Sequence, residues 1–272
     1  MRLRILCPAK VNTFLAVGPP DTTGYHPIRS TFQAVGLFDE LEIEVTATDS
    51  LEVVGATLPI ENTLTKALRL AREQLFVRPL ALRLTKRIPS EAGLGGGSSD
   101  AAGLIRGLAH LLREPMDGFL TDVAQAVGAD VAFFLVGGRA RAEGYGERLT
   151  PLPDLALKWL LLAKPDEGVP TAVAYQGLDA QPRPFHGFDH EDQWFNDFER
   201  IAPCSSLEMS ERLRVFGAAG AMLTGSGSAV FGVFGDEGSA REAETRLRGE
   251  FGSWTAVAPT LTRAESLAIQ RS

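Results

Sequence analysis

The run Gly93-Leu-Gly-Gly-Gly-Ser-Ser-Asp100 constrains this 272-residue chain more than any other feature. Before it, Leu80, Leu82 and Leu84 alternate with Ala81, Arg83 and Thr85, which predicts a strand ending ahead of Pro89. After it, Ala101, Leu104, Ile105, Leu108 and Leu112 recur with helical period. The glycines therefore lie between a strand and a helix N-terminus, where unpaired N–H groups and about half a positive charge attract anions. With no side chains at Gly93, Gly95, Gly96 and Gly97, the backbone can wrap a phosphate chain. Ser98 and Ser99 add hydroxyls for phosphate oxygens or a metal ion. Two familiar cradles fail: the chain has no Gly-Lys dipeptide for a P-loop, and Ser98 stands where a Rossmann fingerprint needs Gly or Ala. The bland alternative is a capped surface turn, against which four glycines and two serines weigh together.

Around this loop, β-formers at 3–7 and 11–17 flank Pro8-Ala9-Lys10 and predict two strands with a bend between them, Lys10 lying near a strand end. Leu41, Ile43 and Val45 alternate with Glu42, Glu44 and Thr46, the period of a half-exposed strand. Asn62 caps an expected helix with apolar Leu64, Ala67, Leu68, Ala71 and Leu75. A short helix over about 117–127 stops at Gly128, and Asp130 opens the apolar segment 131–136. The turn Thr150-Pro-Leu-Pro-Asp154 divides the chain into an N-terminal domain, 1–153, and a C-terminal one, 154–272. In the second, a strand is expected at 155–163, loop at 177–190, a helix at 205–216, a strand at 229–234, a helix near 239–249 and a strand near 254–258. The mixture has no sustained βαβ rhythm and reads as α+β.

Hydrophobic residues are 44% of the chain and charged ones 22%, ordinary globular usage. The net charge of −7 is interspersed and offers no basic footprint for nucleic acid. No stretch reaches the roughly 18–20 apolar residues of a membrane span, and the N-terminus lacks a signal-like apolar region, so a soluble cytoplasmic protein is expected. Cys7 and Cys204 form neither a disulfide framework nor a zinc spacing and read as small, partly buried thiols. His186 and His190 are four apart, but Pro184 and Gly187 argue against the helix a zinc site would need.

Phosphoryl transfer to an alcohol needs a phosphate cradle, charge neutralisation and a group to take the hydroxyl proton. Lys10 and Asp130 can supply the last two, although each alone reads more readily as a solvated surface charge. Gly24-Tyr25-His26 is a turn able to stack on a ring and bond its edge. The second loop, Leu223-Thr-Gly-Ser-Gly-Ser228, reads alone as either another phosphate loop or a plain turn.

Taken in order, Pro8-Ala-Lys-Val-Asn12, Gly24-Tyr-His26, Pro89 to Ala102 with its glycines, Gly128-Ala-Asp-Val131 and Leu223 to Ser228 resemble the GHMP small-molecule kinases. That resemblance implies an N-terminal domain of ribosomal-protein-S5-like topology, a C-terminal ferredoxin-like domain, and an active site in the cleft between them. It further implies ATP with Mg²⁺, the nucleotide lying against Pro89, Gly93, Leu94, Gly95, Gly96, Gly97, Ser98 and Ser99; no dedicated carboxylate ligand for the metal is evident in the sequence. Asp130 is then the general base and Lys10 the group that orients the acceptor and stabilises charge. The likeness is strongest to the branch whose substrate carries a cytidine diphosphate, with Tyr25 and Tyr175 stacking on the base, His26 reading its edge, and Asn12 and Phe32 lining the substrate side. A monomer or weak homodimer is expected. Rivals are a GHMP kinase for homoserine or mevalonate, and a nucleotide-binding regulator without chemistry, against which Lys10 and Asp130 both argue. The chain departs from the family pattern at Ser90-Glu91. Glu91 weakens ATP binding if it faces the phosphates and is harmless if it points outward.

Overall fold

The computed structural model describes residues 2–114, 118–181, 183–188 and 194–271. Two long strands, β1 (Arg2–Val17) and β2 (Ile28–Val45), pair antiparallel and lay Leu3, Ile5, Leu41 and Ile43 into the core. The expected bend at 8–10 is instead a register shift between Pro8 and Ala9, with a second between Asn12 and Phe14. Proline lacks a ladder donor, and a bulge lets the strand pass through it unbroken. Lys10 consequently sits in mid-strand. Next come β3 (Ser50–Val54), α1 (Thr63–Arg72), β4 (Leu80–Thr85), α2 (Gly96–Leu112), α3 (Phe119–Val127), α4 (Ala129–Val136), β5 (Arg139–Glu143) and β6 (Arg148–Leu152).

Asn62 caps α1 as its sequence predicts. Its side chain accepts from the N–H groups of Leu64 and Thr65, and the Thr65 hydroxyl oxygen accepts from its N–H, a reciprocal box worth about 1 kcal/mol. Helix α2 lies hard against β1 and β2. A Cβ on Gly103 would stand 2.5 Å from the Cys7 sulfur, and one on Gly107 2.4 Å from Ile43 Cδ1. These glycines cost about 1 kcal/mol each in helix propensity and allow the close approach.

The second sheet is built from β7 (Trp159–Lys164), β9 (Gly220–Leu223), β10 (Val230–Phe234) and β11 (Trp254–Pro259), in the antiparallel order β11-β7-β10-β9. Interleaved with them are α5 (Thr171–Asp179), the two-residue β8 (Phe195–Asn196), α6 (Cys204–Val215), α7 (Glu237–Phe251), α8 (Arg263–Ser266) and β12 (Ile269–Arg271). Strand β7 starts four residues later than expected, because Leu155 and Leu157 are exposed. Residues 177–179, expected as loop, continue α5, with Leu178 and Ala174 buried in the second core. The first sheet takes the order β12-β1-β2-β4-β3, with β5 and β8 attached to β2 and β1 and β6 to β5. It thus receives two short strands from beyond residue 154. Cys7 is buried, whereas Cys204 is exposed rather than partly buried. His190 lies outside the described residues.

A third apolar cluster joins the two sheets. Ala9, Val11, Ile88 and Leu94 from one side meet Leu160, Leu162 and Phe231 from the other. At roughly 1.5–3 kcal/mol for each large side chain fully buried, this contact fixes the loops that border the cleft.

Candidate active site

Residues 88–95 reach the cleft over that cluster. Ile88, Ala92 and Leu94 are its buried pins, and the Leu94 carbonyl accepts from the Lys10 N–H at 3.0 Å. Gly95, at φ +74°, starts α2 without any side-chain cap, so the first-turn N–H groups of Gly96, Gly97 and Ser98 are left to an incoming anion. The Thr63 hydroxyl, at the start of α1, donates to the Gly97 carbonyl at 2.7 Å and steadies the turn.

The second glycine-serine loop crosses over to the first. Gly93 has φ +72°, and a Cβ there would stand 2.1 Å from the Thr224 carbonyl oxygen; one on Gly225 would meet the Gly93 backbone at 2.9 Å. Asn12 ties the contact together. Its Oδ1 accepts from the Gly225 N–H (3.0 Å) and from Lys10 Nζ (2.7 Å), and its Nδ2 donates to Ser30 Oγ (2.7 Å). Its own N–H donates to Thr224 Oγ1 at 3.1 Å.

Lys10 Nζ is 3.6 Å from Asp130 Oδ2 and 5.3 Å from the Phe32 ring centroid. The lysine side chain is only 4% exposed and the aspartate side chain 35%. Burial pulls the Lys10 pKa below the ordinary lysine value, and the Asp130 charge limits the fall. Asp130 stands in the first turn of α4, where a carboxylate is favoured. Lys10, Asn12, Phe32, Asp130, Tyr175 and the loop from Pro89 to Ser98 line one pocket of about 500 Å³. Ser99 lies behind this lining, its buried hydroxyl without a partner among the described residues.

An adjoining pocket of about 880 Å³ holds Tyr25, His26 and Tyr175 together. Ala129, Thr171 and Tyr175 border both spaces. His26 Nδ1 is 3.0 Å from the Gly18 carbonyl oxygen, its Nε2 is 3.5 Å from Asp179, and its ring centroid lies 4.8 Å from that of Tyr175. Burial, then the charge of Asp130, push the Tyr175 phenol up to about 12.

The model for the GHMP kinases N terminal domain matches residues 62–138, and that for the GHMP kinases C terminal matches 190–253. A 4-diphosphocytidyl-2-C-methyl-D-erythritol kinase of Geobacter sp. (strain M21) is 35% identical over 96% of this chain and 99% of its own length. The chain belongs to the GHMP kinase family.

A second relative of that name, from Syntrophus aciditrophicus (strain SB), is 37% identical over 93% of the chain and 96% of its own length. A crystal structure of a 4-(cytidine 5'-diphospho)-2C-methyl-D-erythritol kinase superposes with TM-score 0.77 at 33% identity, covering 94% and 98% of the two chains. As a GHMP kinase, the protein draws its phosphoryl group from ATP. Its glycine-rich loop, Lys10–Asp130 pair and second loop line one cleft. Asn12, expected to line the substrate side, spends its side chain on Lys10, Ser30 and Gly225. Glu91, at φ +53°, is exposed on the cleft edge, and its carboxylate packs beside Gly168.

One cluster in this GHMP kinase left no sequence signal. Lys86, at the pocket wall, donates to Asp100 at 2.6 Å and to Asp39, which also accepts the N–H groups of Arg87 and Ile88. Burial opposes the Lys86 charge, but the two carboxylates outweigh it and hold its pKa above the usual value. Burial, reinforced by Asp39 and opposed by Lys86, pushes Asp100 up from 3.8 to about 7. The folded protein therefore holds a proton through that window that the unfolded chain releases. The resulting stabilisation is complete below 3.8 and is lost as pH rises through about 7. Between pH 5 and 8 the Tm should fall more steeply in the unaltered protein than in Asp100→Asn, and parallel curves in a thermal melt would contradict this.

Proposed function

We propose that the protein transfers the γ-phosphoryl group of ATP to the 2-hydroxyl of 4-diphosphocytidyl-2-C-methyl-D-erythritol, giving the 2-phosphate and ADP, a step toward isoprenoid precursors. The supporting observation is the placement of the Lys10–Asp130 pair where an uncapped helix start meets a pocket walled by Tyr25, His26 and Tyr175. The region 1–153 supplies the phosphate loop, the base and His26. The region 154–272 supplies Tyr175, Thr171 and the loop that braces Gly93.

The triphosphate lies along Gly93–Ser98, its terminal oxygens meeting the first-turn N–H groups of α2. The acceptor is a tertiary alcohol, crowded and weakly nucleophilic, so position and proton removal both matter. Asp130 takes its proton as the O–P bond forms and the bond to ADP breaks. The Lys10 ammonium, aimed by Asn12, offsets charge on the incoming oxygen. Among the described residues no group of three or more His, Cys, Asp or Glu is placed to hold a metal. Mg²⁺ commonly binds through substrate phosphates and water with few protein ligands, and the Ser98 hydroxyl on the cleft wall fits that role. When bound with ATP, Mg²⁺ neutralises charge on the β- and γ-phosphates.

Stacking by Tyr25 and Tyr175 tolerates any base, so His26 supplies the cytosine preference. Lys66, whose ammonium donates to the Val127 carbonyl at 3.2 Å, is the lysine or arginine lining this pocket among the described residues. It faces the substrate diphosphate. Lys66→Ala should weaken inhibition by cytidine diphosphate by about tenfold while leaving inhibition by cytidine unchanged; equal weakening of both would exclude a charge contact.

ADP release by the purified protein, compared across 4-diphosphocytidyl-methylerythritol, methylerythritol phosphate, mevalonate and homoserine, tests the reading. Turnover confined to the cytidylyl compound supports it. Turnover with another alcohol keeps the family and removes the substrate assignment, and ATP binding without turnover favours a regulator.

A further inference from the structure

Tyr25 is 67% exposed at the mouth of the aromatic pocket. Its neighbour is Tyr145, 41% exposed, with ring centroids 5.7 Å apart. Tyr145 belongs to the turn between β5 and β6, and this turn is itself anchored. The Ile28 N–H donates to the Gly144 carbonyl at 2.7 Å, and the Tyr145 N–H donates to the Glu147 carboxylate at 2.6 Å.

Asp21 connects the two tyrosines by dividing its carboxylate between them. Its Oδ1 accepts from the N–H and hydroxyl of Thr23, at 2.8 and 2.5 Å, which folds the loop carrying Tyr25. The Asp21 N–H donates to the Tyr25 carbonyl at 2.9 Å, so that loop closes on the same residue. The other oxygen, Oδ2, accepts the Tyr145 hydroxyl. Hydrogen bonds from Thr23 and Tyr145 hold the Asp21 carboxyl down near 2, so the contact stays charge-assisted across the working pH range.

We infer that Tyr145 is a positioning residue for base recognition, latched by Asp21 so that it holds Tyr25 in place as the outer wall of the cytosine pocket. The inference rests on the cytidine-diphosphate reading of that pocket. A free, exposed tyrosine pays rotamer and loop entropy when it closes on a base, whereas one already backed by a fixed ring loses less. The latch touches neither the phosphate loop nor Lys10 and Asp130, so its effect appears in substrate binding and spares chemistry.

The test compares Tyr145→Phe, which keeps the ring and removes the hydroxyl, with Asp21→Ala and the double variant, each checked for an unchanged circular dichroism spectrum. Each single variant should raise KM for the cytidylyl substrate about three- to tenfold, with kcat and the KM for ATP unchanged. The double variant should be no worse than Asp21→Ala alone, because the bond that Tyr145→Phe removes is already lost with Asp21. In a Tyr25→Ala background, Tyr145→Phe should add nothing further. Unchanged KM, independent multiplying effects, or an equal loss in kcat would overturn the latch. Calorimetry with cytidine diphosphate separates the two readings: no binding by the unaltered protein overturns the substrate reading, whereas full binding by the variants overturns the latch alone.

Discussion

Asp130→Asn should lower kcat by about 10²–10⁴-fold, the usual worth of general-base catalysis, while calorimetry finds ATP binding within about twofold. The amide is isosteric, so the start of α4 keeps its packing and the phosphate loop is untouched. What it loses is the ability to take the hydroxyl proton. A second signature separates catalysis from mere packing. The Asp130 charge is what raises the pKa of buried Lys10 against desolvation, so without it the ammonium deprotonates at lower pH. The residual activity of the variant should therefore decline at a lower alkaline pH than that of the unaltered enzyme. Turnover within tenfold of normal, or an unmoved alkaline limb, would remove the Asp130–Lys10 pair from the mechanism.

Gly93→Ala should be the most damaging single-methyl change. The residue has φ +72°, and its added Cβ would lie 2.1 Å from a backbone carbonyl, Thr224, which no rotamer change can move aside. Left-handed strain of roughly 1–2 kcal/mol combines with overpacking of about 1–3 kcal/mol. A total on the order of 3 kcal/mol lowers Tm by roughly 6–12 °C. Activity should fall further than stability, because parting the two loops breaks the Gly225–Asn12 bond and so disturbs the side chain that aims Lys10. Gly252→Ala is the control. It shares the positive φ, at +64°, but has nothing within 4 Å of the added methyl, so only the backbone strain should appear. If the two variants melt and turn over alike, the loops do not depend on their close contact.

The phosphate loop, α1 and the placement of Asp130 at an element start were legible because each is local. A glycine run, an Asn cap and a helical period carry their meaning within a few residues. The continuous β1 was hidden by Pro8, since a bulge that carries proline through a strand depends on the partner register. Helix α4 showed no periodicity because Val131, Ala132, Phe133 and Phe134 are all buried. Lys86, Asp39 and Asp100 come from distant segments, and only tertiary packing makes them a cluster. The roles of Ser30 and Thr224 around Asn12, and the pairing of Tyr145 with Asp21, were invisible for the same reason. In each case the partner is set by topology, and no side chain announces it.

Strand β12 pairs with the beginning of β1, Leu3 opposite Arg271 and Ile5 opposite Ile269. Buried Arg106 secures this return by donating to the carbonyls of Ser266 (3.1 Å) and Leu6 (3.0 Å). Strand β1 is thus finished only once β12, far along the chain, has been made. During synthesis the edge of the first sheet stays open while the entire second sheet is being made, and the strand that closes it comes only after β11.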